Sequence, residues 1–326
     1  MKRLQKTLFV SLISIVFGMA AIGQAQETAH QKAILVTGAN SGLGLKMTEV
    51  LSKNGFFVYA GVLHKHEMKA MNEMDNVAAI QFDVRKPRQI NKAVKFVEKQ
   101  GRGLYGLINN AGVAVFGPML EMPMQQLHYQ LDVNVFGPFR VTQAFAPMIM
   151  QSKGRIVTTG SIAGIRTSPM FGAYGMSKHA IEAYTDALAQ EVARFGVSVH
   201  LIEPGNYASN IGNAAKKLIQ DKKYWTADTL YKQDREMVLG RLDQAIHGAD
   251  PIDVAQAALH SMQSPKPKTR YMVTANAREA KATIRRQISK MLELNEGQAH
   301  ELSRAQLNAM LEEEFAQAER VKSSSQ

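Results

Sequence analysis

Ala33-Ile34-Leu35-Val36-Thr37-Gly38-Ala39-Asn40-Ser41-Gly42-Leu43-Gly44 is the stretch on which the fold of this 326-residue chain turns. Its first five residues are apolar or β-branched and too few for a helix, so they are read as a buried strand. Gly38, Gly42 and Gly44 follow, and Leu45-Lys46-Met47-Thr48-Glu49-Val50-Leu51-Ser52 continues with a helical pattern. Strand, glycine-rich turn and helix in that order form the context in which glycines signal phosphate binding. The glycines permit a tight turn and close backbone approach, and free N–H groups at the helix start attract an anion. A glycine-rich turn alone is no more than a helix cap. At the head of a domain, in this order, it reads as a dinucleotide site.

Further strands follow at the expected intervals. Phe56-Phe57-Val58-Tyr59-Ala60-Gly61-Val62 reads as a second strand and Val77 to Phe82 as a third, ending at Asp83-Val84. Pro87 opens a helix pattern that runs through Val97, and Tyr105-Gly106-Leu107-Ile108-Asn109-Asn110-Ala111-Gly112 is a fourth strand ending in small polar residues. A parallel sheet binds its ligand at that edge. Asp83 is placed either to accept a hydrogen bond from an adenine amino group or to cap the next helix. At the end of the second strand a carboxylate suits NAD and an arginine suits the NADP phosphate. Val62 and Leu63 stand there instead, with His64, Lys65 and His66 beyond. The cofactor is therefore NAD or NADP, with a lean to NAD. No third ligand accompanies His64 and His66, so they read as solvated and no metal site is expected.

A second constellation lies further on. Tyr174 and Lys178 are four residues apart in a helix-like run, which places them on one face, one turn apart. A neighbouring positive charge favours the phenolate and lowers a tyrosine pKa from its usual value near ~10. Ser161, at an apparent strand end, supplies a hydroxyl within the same region. Taken singly, each has a bland reading: a surface Tyr and Lys, a turn-capping serine, a polar Asn134 within a helix.

Taken together, the motifs resemble a family. Thr37-Gly38-x-x-x-Gly42-x-Gly44, Asp83, Asn109-Asn110-Ala111-Gly112, Asn134, Ser161, Tyr174-x-x-x-Lys178 and Pro204-Gly205 stand in the order and spacing of the short-chain dehydrogenases/reductases. The resemblance covers residues 33–273 and is weaker, but visible, toward the retinol and steroid dehydrogenase branches. It implies an α/β fold, a Rossmann-type doubly wound parallel sheet flanked by helices, and a nicotinamide cofactor. It also implies that Gly38, Ser41, Gly42, Leu43 and Gly44 hold the pyrophosphate and ribose and that Asp83 and Val84 meet the adenine. Asn110, Ala111 and Gly112 would lie along the cofactor. Pro204 and Gly205 precede Ser209, which stands where the family usually has a threonine against the nicotinamide amide.

The same resemblance implies the chemistry. Tyr174 would be the acid/base at the substrate oxygen, and Ser161 would hydrogen-bond that oxygen. Lys178 would lower the phenol's pKa and bind the nicotinamide ribose, and Asn134 would hold a water linking Lys178 to solvent. The substrate implied is a secondary alcohol or ketone. Residues Ile211 to Gly248 would form a loop over it, and Met119, Met124, Phe171 and Trp225 nearby suit a bulky apolar molecule. Two other classes remain open: a non-catalytic dinucleotide sensor or scaffold, and an epimerase or dehydratase on the same fold.

Composition sets the bounds. With 45% hydrophobic and 21% charged residues the chain can bury a substantial core. It has no cysteine, which excludes disulfides, thiolate zinc sites and a thiol nucleophile. The formal charge is +11, or +8 without Lys2, Arg3 and Lys6. This favours phosphates or anionic lipid surfaces and does not by itself signal nucleic acid. Residues 1–25 carry a basic start and an uncharged apolar run from Thr7 to Gly23, the layout of a signal peptide cleaved near Ala25 or of a retained anchor. Either places the main domain outside the cytoplasm, in the periplasm or at the membrane of a bacterium. No twin arginine precedes the run.

Asp250-Pro251 opens a further helix pattern, and Pro267 to Val273 resembles the family's last strand. Residues 274–326 read as a helical extension. Residues 266–290 hold eight Lys/Arg against one Glu, while residues 291–322 hold seven Glu against three Lys/Arg. Such blocks form solvated helix faces, or, for the basic one, a contact with an anionic membrane. A homo-oligomer, dimer or tetramer, is expected from the resemblance.

Overall fold

The computed structural model describes residues 31–222, 224–245 and 248–323. The N-terminal segment read as a signal or anchor lies outside them. Seven strands form one parallel sheet in the order β3-β2-β1-β4-β5-β6-β7. They are β1 (Ala33–Thr37), β2 (Phe57–Val62), β3 (Val77–Gln81), β4 (Gly106–Asn109), β5 (Arg155–Thr159), β6 (Ser198–Pro204) and β7 (Arg270–Val273). The order reverses between β1, which pairs Leu35 with Tyr59 of β2, and β4, where Leu107 pairs with the same Leu35. This is the switch point at which a doubly wound sheet opens a crevice.

Helices cover both faces: α1 (Gly42–Lys53), α2 (Met68–Asn72), α3 (Pro87–Gln100), α4 (Met124–Asn134), α5 (Phe136–Gln151), α6 (Gly172–Val192) and α9 (Ile252–Gln263). Because both faces are covered, the strands are near-continuous apolar runs whose side chains alternate between two cores. Ile34 and Val36 join Met47, Leu51, Val254 and Met262 on one face. Ala33 and Leu35 join Tyr59, Ile90, Phe145 and Ile149 on the other. Each fully buried side chain of this size contributes about 2 kcal/mol relative to exposure. Gly106 is small for a packing reason: a Cβ there would lie 2.7 Å from the Met262 sulfur.

The segment read as a loop over the substrate is instead two helices, α7 (Ile211–Lys222) and α8 (Lys232–Ala245). They bury Ala215, Ile219, Val238 and Leu242 around Trp225, and this third cluster also takes in Ala114 and Phe116. Lys216 and Lys217 lie between Ala215 and Ile219, buried positions spaced four apart, so an amphipathic helix lies beneath the polar composition. Asp250 accepts from Ile252 N–H at 2.9 Å at the start of α9, as its sequence suggests.

The chain closes with α10 (Ala277–Asn295) and α11 (Arg304–Ser323). Asn276 caps α10 by accepting from Glu279 N–H at 3.0 Å. Asn295 and Leu302 exchange two hydrogen bonds of 2.9 Å across the connector. Ile284, Ile288, Met291 and Leu292 on α10 and Met310, Leu311 and Phe315 on α11 are exposed. Among the described residues, no helix is long and apolar enough to cross a membrane.

Candidate active site

The glycine turn sits at the carboxyl end of β1, beside the switch point. Gly38 has φ +64°, and a Cβ would lie 3.0 Å from the Ala111 backbone. A Cβ on Gly44 would overlap the Gly38 carbonyl and come within 2.6 Å of Asn110 Nδ2. Both positions therefore need glycine, for backbone conformation and for close approach respectively. Ser41 precedes α1 with no side-chain cap bond, and the first turn of α1 carries no acidic residue. Free N–H groups without a competing carboxylate suit a pyrophosphate.

Asn110 pins this turn to the middle of the sheet. Its Nδ2 donates to the carbonyls of Thr37 at 3.0 Å and Gly38 at 3.2 Å. Thr37 Oγ1 in turn accepts from the N–H groups of Asn110 and Ala111, both at 2.9 Å. Ser209 is brought against the turn from the far end of the chain, because a Cβ on Gly42 would lie 3.1 Å from Ser209 Cβ. Pro204 and Gly205 lie at the end of β6, where Gly205 N–H donates to Val273 at 2.7 Å.

Two features of the adenosine end were not read from the sequence. Asp83 is gripped by Arg85 through Nε and Nη2, at 3.0 and 2.6 Å, and Arg85 lies over the Tyr129 ring. Burial pushes the Asp83 carboxyl up, but the hydrogen bonds and charge of Arg85 outweigh it and hold the carboxyl below its ordinary value. Glu67, three residues after His64, accepts from Asn40 Nδ2 at 2.8 Å and from His64 N–H at 2.8 Å. A carboxylate thus reaches the end of β2 although the strand register supplies none. His64-x-x-Glu67 is a capping-box spacing, which is the signal that could have found it. His64 and His66 stack 5.5 Å apart in solvent, and the described residues hold no metal-ligating cluster.

At the other end of the crevice α6 presents Tyr174 and Lys178 on successive turns. Lys178 is 7% exposed, and its Nζ donates to the Thr159 carbonyl at the end of β5, 2.8 Å away. Ser161 is 9% exposed; it follows that strand and opens the short turn 162–164, accepting from Ala163 N–H at 3.1 Å. Ser161 Oγ also donates to the Pro204 carbonyl at 3.4 Å, and the phenol ring of Tyr174 lies 6.1 Å from Phe116. Sheet end, turn and helix thus bring the three residues together.

Electrostatics here differ from the simple pairing the sequence suggests. Lys178 Nζ lies 5.7 Å from the centre of the Tyr174 ring. Desolvation raises the phenol above its ordinary value, and the nearby Ser161 hydroxyl only partly opposes this. Burial also pulls the Lys178 ammonium down from 10.5 to about 8, with Glu182 one turn on opposing the shift. Desolvation therefore outweighs the mutual influence of phenol and ammonium. Behind them the half-buried Glu182 lies beside the buried Glu203, and Glu203 is raised to about 7 by burial and by Glu182. Arg270 holds Glu182 at 3.3 Å and Asp186 at 2.6 Å.

Asn134 ends α4, and the helix breaks at Val135, where φ is −114° and ψ −61°. Its amide side chain bonds Val113 twice at 2.9 Å and reaches Ser177 Oγ at 3.2 Å. Pro138 stands four residues on and has no N–H, so it cannot take up the Asn134 main-chain carbonyl. Both amide hydrogens of Asn134 are engaged within the fold. Gly112 packs beside it, with a would-be Cβ 3.5 Å from Asn134 Oδ1.

Residues 32–219 match the family model described as short chain dehydrogenase. The chain belongs to the short-chain dehydrogenase/reductase family. It is 34% identical over 264 residues to the NADPH-dependent 3-dehydrocapnine reductase of Ornithobacterium rhinotracheale, covering 77% of this chain and 90% of that one. It is 30% identical over 275 residues to the mitochondrial D-beta-hydroxybutyrate dehydrogenase of Bos taurus, covering 78% and 80%. A short-chain dehydrogenase structure from Streptomyces avermitilis matches with a TM-score of 0.69 at 25% identity, covering 82% of this chain and 95% of that one. As a short-chain dehydrogenase/reductase the chain is an oxidoreductase that uses NAD or NADP.

Proposed function

We propose that this short-chain dehydrogenase/reductase interconverts a secondary alcohol and its ketone, with Tyr174 as the acid/base. The observation that carries the reading is the joint placement of Ser161, Tyr174 and Lys178 at the carboxyl edge of the sheet, beside the glycine turn. The bound nicotinamide accepts or supplies the hydride. Gly38, Ser41, Gly42, Leu43 and Gly44 hold the pyrophosphate end, Asp83 and Val84 the adenine, and Asn110, Ala111, Gly112, Pro204, Gly205 and Ser209 line the rest of the crevice.

Ser161 donates to the substrate oxygen. Tyr174 protonates that oxygen as the ketone is reduced, or takes its proton as the alcohol is oxidised. A buried lysine whose pKa lies near 8 can pass that proton on at neutral pH, where an ordinary lysine would stay charged. The Asn134 carbonyl offers a water the next station toward solvent. Phe116, Phe171, Tyr224 and Trp225 beside Tyr174 favour an apolar substrate.

The closing measurement is fluorescence titration of NADH and NADPH separately, followed by turnover on a panel of secondary alcohols and ketones. We expect NADH to bind more tightly, because Glu67 adds a carboxylate near the end of β2, and an acid in that region disfavours a 2′-phosphate. We also expect turnover of at least one apolar alcohol. Binding with no turnover across the panel would leave a dinucleotide sensor. A tightly retained NAD needed only in catalytic amounts would leave an epimerase or dehydratase.

Residues 1–25 are proposed to export or anchor the enzyme, and the domain is taken as residues 33–273 with the extension 274–326. N-terminal sequencing of the mature protein from fractionated cells tests the first point: a start at Met1 in soluble cytoplasm would sink it. Exposed Phe136 and Phe139 on α5 are consistent with a dimer or tetramer.

A further inference from the structure

Helix α10 lies beyond the sheet, yet its long-range hydrogen bonds fall on segments that flank the active site. Glu279, Thr283 and Lys290 are spaced four and seven apart, which places them on one helix face. At the start of the helix, the Glu279 carboxylate accepts from Asn206 N–H at 3.4 Å and from Asn206 Nδ2. It also occupies the space a Cβ on Gly205 would need. Thr283, in the middle, is 0% exposed.

Near the other end, roughly 16 Å away at 1.5 Å per residue, Lys290 Nζ donates to the Ile165 carbonyl at 2.5 Å and meets His179 Nε2 at 3.2 Å. His179 Nδ1 faces the Gly175 carbonyl at 2.9 Å. A carbonyl only accepts, so Nδ1 carries the hydrogen and Nε2 is left to accept from Lys290. Ile165 ends the turn that Ser161 begins, while Gly175 and His179 each adjoin one of Tyr174 and Lys178 in sequence.

A helix that served only stability would bury its apolar face. This one does the reverse: Ile284 is 50% and Ile288 49% exposed, while its polar groups hold two active-site segments. We propose that α10 is a positioning clamp for the catalytic site. Lys290 sets the Ser161 turn against the first turns of α6, and Glu279 sets the Pro204–Ser209 segment that meets the cofactor. The inference rests on the reading of Ser161, Tyr174 and Lys178 as the reacting groups, and it adds two positioning residues that touch neither substrate nor cofactor.

The test uses the full chain with Lys290→Met, Lys290→Arg, Glu279→Ala and, as a control on the exposed face, Ile288→Ser. Hydrogen exchange read by mass spectrometry is the measurement that needs no substrate. Lys290→Met should speed exchange in residues 161–166 and 172–180 by about tenfold, the effect of losing a charged hydrogen bond. Glu279→Ala should do the same in residues 204–209 and weaken NADH binding severalfold. On a substrate turned over by the wild type, Lys290→Met should lower kcat about tenfold with its NADH affinity unchanged. Lys290→Arg should restore most of that loss, and Ile288→Ser should change nothing.

Unchanged exchange in those segments at an unchanged Tm would overturn the clamp, as would a rise spread evenly over the whole chain. If Lys290→Met does not fold, Lys290→Arg and Glu279→Ala still decide, through local exchange and NADH affinity. If Tyr174→Phe keeps full turnover, the catalytic reading fails while the exchange results still judge the clamp.

Discussion

Tyr174→Phe should lower kcat on the order of 10³-fold, within the range by which a positioned general acid or base accelerates a reaction. The substitution removes one oxygen and keeps the ring that packs near Phe116. NADH affinity and Tm should therefore stay close to wild type. The lost group is the hydroxyl proposed to exchange the proton with the substrate oxygen. Neutral Ser161 still donates a hydrogen bond, which would leave a small residual rate. The decisive experiment is single-turnover reduction with NADH prebound, because it separates the chemical step from release. Turnover within tenfold of wild type would remove Tyr174 from the mechanism.

Lys178→Met should abolish most turnover and, at neutral pH, stabilise the fold. The native ammonium titrates near 8, against 10.5 for an ordinary lysine. Between these values the unfolded chain binds more protons than the native one, so stability rises with pH across that window. Below it both states are protonated and the full burden of the buried charge remains. A shift of this size corresponds to roughly 3 kcal/mol. Methionine carries no proton and escapes it. The variant should thus be more stable than wild type at pH 7, by up to about 3 kcal/mol. The gap should shrink as pH climbs from 8 toward 10.5. Tyr59, Tyr129 and the other tyrosines raised by burial act in the opposite sense at high pH, but they are common to both proteins and cancel in the difference. Urea unfolding of both proteins at pH 7 and 9.5 measures it. A gap that does not change with pH would show that Lys178 carries no such burden. A stabilising change that destroys activity is what a buried functional charge implies.

Legibility varied along the chain, for reasons that lie in the kind of signal each part carries. The glycine turn could be read because strand, turn and helix are local in sequence. Tyr174 and Lys178 could be paired because helical spacing alone puts them on one face. The helices α7 and α8 were hidden by their lysines, which mask buried positions when composition is weighed before periodicity. Glu67 is not legible from the strand register, because it arrives from the short helical turn beyond the strand. That burial raises the Tyr174 phenol was not legible either, since burial depth is a property of the packed molecule.

The sequence by itself determined the alternation of strands and helices, the phosphate-binding turn, and a tyrosine and lysine one helical turn apart. Those follow from periodicity and from the few residues that tolerate a given backbone. Only the tertiary structure decided that Lys178 is held on the Thr159 carbonyl and that Asn134 uses its amide on Val113. It also decided that Glu279 and Lys290, from the far end of the chain, lie on the loops around the site. These contacts join residues up to 125 positions apart. No local pattern encodes such a meeting, because it depends on how the sheet twists and stacks its helices, and the desolvation that sets both pKa values exists only once that packing has closed.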